Sequence, residues 1–318
     1  MSSATKSAVT NPKKDIFKQP ALYAIYFILY TLCMLYIWQH IPQYINPIAF
    51  NIGPIQIAWY GIMYLVAFAV VYYFVRYRIQ RDNLGISLET VQDFFPWAIV
   101  GLLLGARLGD VFIYDWSYFQ NHLSQIFLPF DIHNNWQYIG IYGMSYFGGL
   151  VGLIITFVIF SFLRFGLKKR SIAKILEFSD LFAPAVPLGF TFGRLGNFAN
   201  GELWGRVTNK FWGMYFPADF SGQLRHPSQL YEAFLEGILL FAVLWSIRKI
   251  KFPTGYLTAL YLIGYGLARF TAEFFREPDN GWIFWQLTFG QWLSVFLFIT
   301  GTSLLFRRKS SSFRLPLH

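Results

Sequence analysis

Apolar residues run along this chain in long blocks separated by short polar stretches, without the strict alternation of a half-buried strand. A helix needs about 20 mostly apolar residues to cross a bilayer, and windows of that length predict eight spans, at roughly 21–38, 55–75, 91–114, 141–163, 177–193, 228–247, 255–275 and 287–306. Eight such helices use most of the apolar residues and leave little for a soluble domain. The predicted fold class is therefore all-α, a polytopic transmembrane helix bundle.

Composition supports this reading. Of the 318 residues 55% are hydrophobic, 21% aromatic and 13% charged, against about 25% charged in a typical soluble domain. Disorder, collagen and a disulfide-stapled secreted fold are excluded; the one cysteine, Cys33, permits no intrachain disulfide and reads as a packing residue of the first helix. The formal charge of +10 raises the question of nucleic acid, which the distribution answers: 19 of the 26 Lys and Arg lie in five short flanks on one side of the predicted membrane. Such flanks mark the cytoplasmic side, so both termini are expected there and no nucleic-acid partner is expected. Without a visible internal repeat, a transporter built from paired repeats is disfavoured.

Charged residues inside a bilayer are costly and so mark candidate sites. Tyr265, Arg269 and Glu273 fall at i, i+4 and i+8 of one predicted span, on one face, as a ligand site or as an ion pair joining helices. Nearby in depth, the run from Gly193 to Arg206 combines glycines with Arg194, Asn197, Asn200, Glu202 and Arg206. Glycines let backbone N–H groups approach an anion, and an arginine fork matches a phosphate through two hydrogen bonds, so this run predicts an anionic-ligand site. Tyr60 opens the second span, where an interfacial anchor is the ordinary role. Arg107 and Asp110 read as a buried structural pair, with Gly101, Gly105 and Gly109 on the same helix allowing close packing. Asp180 also reads as structural. His226, before Pro227 and Ser228, is equally suited to act as a base or phosphate donor or to cap a helix. The histidines are too scattered for a metal centre, so no metal or other cofactor is expected.

These motifs resemble the bacterial prolipoprotein diacylglyceryl transferase family. The resemblance rests on Arg194-Leu195-Gly196-Asn197-Phe198-Ala199-Asn200-Gly201-Glu202-Leu203-Trp204-Gly205-Arg206, on Trp59-Tyr60-Gly61, Phe147-Gly148-Gly149-Leu150 and His226 to Glu232, and on the stripe from Tyr265 to Asp279. It implies a seven-span bundle over 47–306, preceded in 1–46 by a cytoplasmic tail and an extra helix and followed by a basic tail at 307–318. It also implies an inner-membrane enzyme with its site toward the outer leaflet. Such an enzyme moves the diacylglyceryl group of phosphatidylglycerol to the lipobox cysteine of preprolipoprotein signal peptides and releases glycerol phosphate. Carried over by motif position, the functional residues are Tyr60, Arg194, Asn197, Glu202, Gly205, Tyr265, Arg269 and Glu273. Arg194 and Arg269 are the natural phosphate clamp, and Glu202 and Glu273 orient them.

One position departs from the family. A histidine regarded as the thiol-activating base usually precedes the Gly148-Gly149 pair, and this chain has Phe147. Tyr146, Tyr265, His226 or the field of the arginines are the candidates to replace it, with Tyr146 disfavoured because it points about 100° away on a helix, and His226 joins Arg194, Arg269 and Tyr265 in the expected catalytic set. Phe147 also leaves open a second reading, a catalytically impaired paralogue that binds or transports anionic lipid.

Overall fold

The computed structural model describes residues 20–53, 55–82, 84–128, 130–131, 136–138, 143–166, 168–278 and 283–312. The lysine-bearing N-terminal tail, Arg314 and the stretch Asp279 to Gly281 lie outside the described residues.

The chain is predominantly helical. Helix α1 spans Pro20–Tyr44, and a hairpin of β1 (Ile48–Ile52) and β2 (Ile55–Ala58) leads into α2 (Trp59–Arg81). Next come α3 (Leu88–Ile113), the single turn α4 (Trp116–Phe119), α5 (Tyr146–Phe165), α6 (Lys169–Phe182) and α7 (Val186–Ala199). Helix α8 covers Ser228–Ile247 with a π-helical stretch over Ala233–Leu239, α9 covers Tyr256–Ala272 and α10 covers Phe289–Ser312.

Among the described residues six helices are long and apolar enough to cross a membrane, or seven if α6 and α7 together make one span. The predicted continuous span at 177–193 is in fact broken: α6 and α7 meet at 51°. The break falls at Ala183-Pro184-Ala185, where Pro184 has no N–H to continue the helical ladder, and Pro187 occupies the first turn of α7. The predicted span at 255–275 contains α9, a regular helix of only 17 residues, slightly under the ~20 of a full crossing.

Three pairings place the site: α3 on α5, α2 on α7, and α7 on the π-helical part of α8. The first is a glycine seam, as the spacing of Gly101, Gly105 and Gly109 predicts. A Cβ built on Gly105 would lie 2.7 Å from the Gly152 Cα and closer still to the Gly148 carbonyl oxygen. Because the obstacle is backbone, the helices must part to accept a side chain. Gly105→Leu is therefore expected to cost at least the ~1–3 kcal/mol of an overpacked core, read as a lower Tm in detergent; an unchanged Tm would refute the tight crossing.

Arg107 anchors a loop. Its Nε donates to the Ile126 carbonyl at 2.7 Å and its NH2 to the Gln125 carbonyl at 2.7 Å, with Asp110 at 3.7 Å. Asp180 is also structural: its carboxylate accepts from the Gly255 and Thr258 N–H groups and the Thr258 hydroxyl, holding the start of α9. At the same end of the bundle Arg78 pairs with Asp82, which also meets Arg248, so basic flanks from separate loops converge there. Beside them Phe94 packs against Phe157, Phe160, Phe178 and Phe182 at centroid distances of 5.2–5.7 Å.

Candidate active site

At the end of the bundle away from those flanks, three helices deliver charged side chains to one buried point. Helix α7 supplies Arg194 and Asn197, α8 supplies Glu232 and Glu236, and α9 supplies Arg269, followed by Glu273 and Arg276. Glu232 is 0% exposed and is the hub. Its Oε2 lies 2.7 Å from Arg194 Nε and 2.9 Å from Arg269 NH1, and its Oε1 lies 3.2 Å from Arg276 NH1. Arg269 is surrounded by further carboxylates, Glu273 at 2.9 Å and Glu236 at 3.7 Å. Burying these charges separately would be prohibitive, and their mutual pairing is what permits them here.

Local sequence explains how α8 presents two carboxylates. The Thr191 hydroxyl donates to the Ala233 carbonyl at 3.3 Å, and a Cβ on Gly237 would come within 3.0 Å of the Thr191 Cβ. A hydroxyl inserted at the backbone of α8, tolerated because residue 237 is glycine, accompanies the π-helical stretch. Glu232 and Glu236 both reach the arginines from this segment.

The remaining predicted residues are placed as follows. Arg194 NH1 donates to Asn197 Oδ1 at 3.3 Å, and Asn197 Nδ2 donates to Glu202 Oε1 at 2.8 Å, so Glu202 reaches the arginine through Asn197. Glu273 touches Arg269 directly and accepts from the Thr288 hydroxyl at 2.9 Å, with Gly290 leaving room for the carboxylate. Tyr60 lies against Gly196, where an added Cβ would be 3.2 Å from its ring, and its hydroxyl meets that of Tyr64 at 3.1 Å. Tyr265 packs edge-on to Phe190, whose ring lies 4.6 Å from the Arg194 guanidinium carbon. Gly205 bridges to Arg276, and its N–H donates to the His226 carbonyl at 2.8 Å. A Cβ at Gly205 would collide with the Phe275 carbonyl and with His226, so this crossing of two chain segments requires glycine.

His226 stands apart from the Glu232 hub. Its Nδ1 pairs with the Tyr231 hydroxyl at 3.0 Å and its ring packs edge-on to Phe275. Burial, then the charge of Lys210, push its pKa below the ordinary imidazole value, so the ring is neutral at pH 7. Below it in the chain, the Arg225 fork grips Asp219 at 2.6 Å and holds that carboxyl below the usual carboxylate range, tying down the loop that leads to His226. Phe147 faces Phe289 with ring centroids 5.7 Å apart, an edge-on apolar contact that supplies no proton acceptor.

Sequence reasoning quoted Glu232 only within a motif, gave Arg276 no role of its own and did not single out Glu236. The signal was present: two glutamates four residues apart inside an apolar span, which the cost of intramembrane charge marks as paired.

A family model described as prolipoprotein diacylglyceryl transferase matches residues 47–307. The phosphatidylglycerol–prolipoprotein diacylglyceryl transferase of Chlorobaculum tepidum is 46% identical over 271 residues, covering 84% of this chain and 91% of that protein. The enzyme of the same name from Bordetella avium is 42% identical over 278 residues, 86% and 98% of the two chains. That of Campylobacter lari is 43% identical over 273 residues, 85% and 96%. Similarity of this extent, carried through the segments that build the arginine and glutamate cluster, means that the chain belongs to the prolipoprotein diacylglyceryl transferase family.

Proposed function

We propose that this protein transfers the diacylglyceryl group of phosphatidylglycerol to the thiol of the lipobox cysteine of preprolipoproteins. It does so from the bacterial inner membrane, with both termini cytoplasmic and the reaction toward the outer leaflet. The observation that carries this reading, beside family membership, is the convergence of Arg194, Arg269 and Arg276 on one buried carboxylate. The cysteine sulfur forms a bond to the glycerol carbon that bears the phosphate. The carbon–oxygen bond breaks with its electron pair going to oxygen, and glycerol phosphate leaves.

Negative charge grows on the departing phosphate ester, and Arg194 and Arg269 are the groups that stabilise it. Donors already aimed at developing charge pay no reorganisation cost when it appears. Asn197 binds the headgroup oxygens, Gly205 keeps the adjoining chain crossing tight, and Glu202, Glu232 and Glu273 hold the guanidinium groups in place. Tyr60 and Tyr265 flank α7 beside Arg194, against Gly196 and Phe190. In this scheme the thiol proton goes to His226. With Nδ1–H donating to the Tyr231 oxygen, Nε2 carries the lone pair that accepts it.

The direct test supplies purified enzyme with phosphatidylglycerol and a lipobox peptide. Release of glycerol phosphate with formation of a thioether is expected; phosphatidylglycerol binding without product would instead establish the impaired lipid binder. If His226 is the base, activity falls on acidification as its ring gains a proton. His226→Gln is then expected to lower kcat by about 10²-fold to 10⁴-fold and to erase that acid limb. An unchanged pH–rate profile would remove His226 from the mechanism.

A further inference from the structure

The charged cluster is neutral as it stands. Three guanidinium groups, those of Arg194, Arg269 and Arg276, meet three buried carboxylates, those of Glu232, Glu236 and Glu273. Glu202 and Arg206, one of each sign, stand at its edge, and neither is buried. A phosphodiester carries one negative charge, so its arrival at Arg194 and Arg269 leaves the buried cluster with an anionic excess. Uncompensated charge in such a setting is unfavourable by several kcal/mol. Uptake of a proton by one carboxylate removes the excess.

The three carboxylates are held unequally. Glu232 lies within 3.2 Å of nitrogens from three arginines. Glu273 lies 2.9 Å from Arg269 NH2 and accepts from the Thr288 hydroxyl at 2.9 Å. Glu236 has only Arg269 NH1, at 3.7 Å, and that nitrogen is already 2.9 Å from Glu232 Oε2. Neither Glu236 oxygen has a hydrogen-bond partner among the described residues, although the side chain is fully buried. The titratable groups around it are Arg194 from α7, Tyr265 and Arg269 from α9, and Glu232 on its own helix, whose like charge disfavours a second carboxylate. Glu236 is therefore the carboxylate whose charge is least supported.

We propose that Glu236 takes up one proton when the lipid phosphate binds, so that lipid binding is coupled to proton uptake. Glu236 is then a positioning residue that acts through Arg269. As the neutral acid it no longer competes for the guanidinium, which is released to the phosphate. The proton comes from solvent and returns there when glycerol phosphate leaves. The inference rests on the transferase reading above for the identity of its ligand.

The test uses the full-length enzyme and short-chain phosphatidylglycerol without peptide, so that no turnover occurs. Calorimetry in buffers of differing ionisation enthalpy counts the protons bound with each lipid. The parent is expected to take up about one proton per lipid, and none with diacylglycerol of the same chains, which lacks the phosphate. The bound state holds a proton that the free state lacks, so affinity for phosphatidylglycerol falls as pH rises, by up to about tenfold per pH unit. Glu236→Gln, which imitates the neutral acid, is expected to bind the lipid without proton uptake and with that pH dependence flattened. Lipid binding without proton uptake in the parent, an equal count with diacylglycerol, or an unchanged count in folded Glu236→Gln would each overturn the proposal and leave the transferase reading standing. Absence of phosphatidylglycerol binding in the parent would overturn both. The proton count and pH slope of the parent need no variant, so a Glu236→Gln chain that fails to fold does not shield the proposal.

Discussion

Glu232→Ala is expected to be the most damaging single substitution in this protein. The carboxylate is 0% exposed and within 3.2 Å of nitrogens from three arginines, so its removal leaves buried positive charges facing one another. Breaking one buried pair costs about 3–5 kcal/mol, a large share of the ~5–15 kcal/mol that holds an ordinary protein folded. The expected result is poor accumulation in membranes, a sharply lowered Tm in detergent and no measurable transfer. Glu232→Gln keeps the shape and one acceptor oxygen but loses the charge, and is expected to fall between parent and alanine variant. An alanine variant with the Tm of the parent would show that the arginines do not depend on Glu232.

Arg269→Ala and Arg194→Ala are expected to abolish glycerol phosphate release for a different reason. In the proposed reaction each removes a donor that meets negative charge developing in the transition state, a loss of about 10²-fold to 10³-fold in kcat for a single donor. The two act on one leaving group, so the double variant is expected to be far less than multiplicatively worse. Arg269→Lys keeps the charge but loses the planar fork that spans Glu232 and Glu273, and is not expected to rescue. Since Arg269 also neutralises Glu236 and Glu273, Tm is measured alongside turnover. A folded Arg269→Ala enzyme with substantial activity would end the phosphate-clamp argument.

The arginines were legible in the sequence because they break a pattern. Most basic residues sit in flanks, whereas Arg194 and Arg269 stand at or inside apolar segments, where a charge needs a purpose. The glycine seam of α3 and the stripe Tyr265, Arg269 and Glu273 were legible for a simpler reason, since helical periodicity alone places such residues on one face. The indirect role of Glu202 was not. Nothing in its spacing shows that Asn197 stands between it and Arg194. The bend between α6 and α7 was missed because hydropathy windows average over Pro184.

By itself the sequence determined the class of the molecule, most of its spans and which charged residues fall at or inside apolar segments, because hydrophobicity, charge and periodicity are properties of residues and near neighbours. Only the tertiary structure decided that Glu232 is the hub of the charged cluster, that Arg276 joins it, that His226 turns to Tyr231, and that Trp38 and Gln39 of α1 are tied to Phe211, Trp212 and Tyr215. These are contacts between side chains distant in sequence. Which buried charges neutralise which is settled by how the helices pack, and no local pattern encodes that.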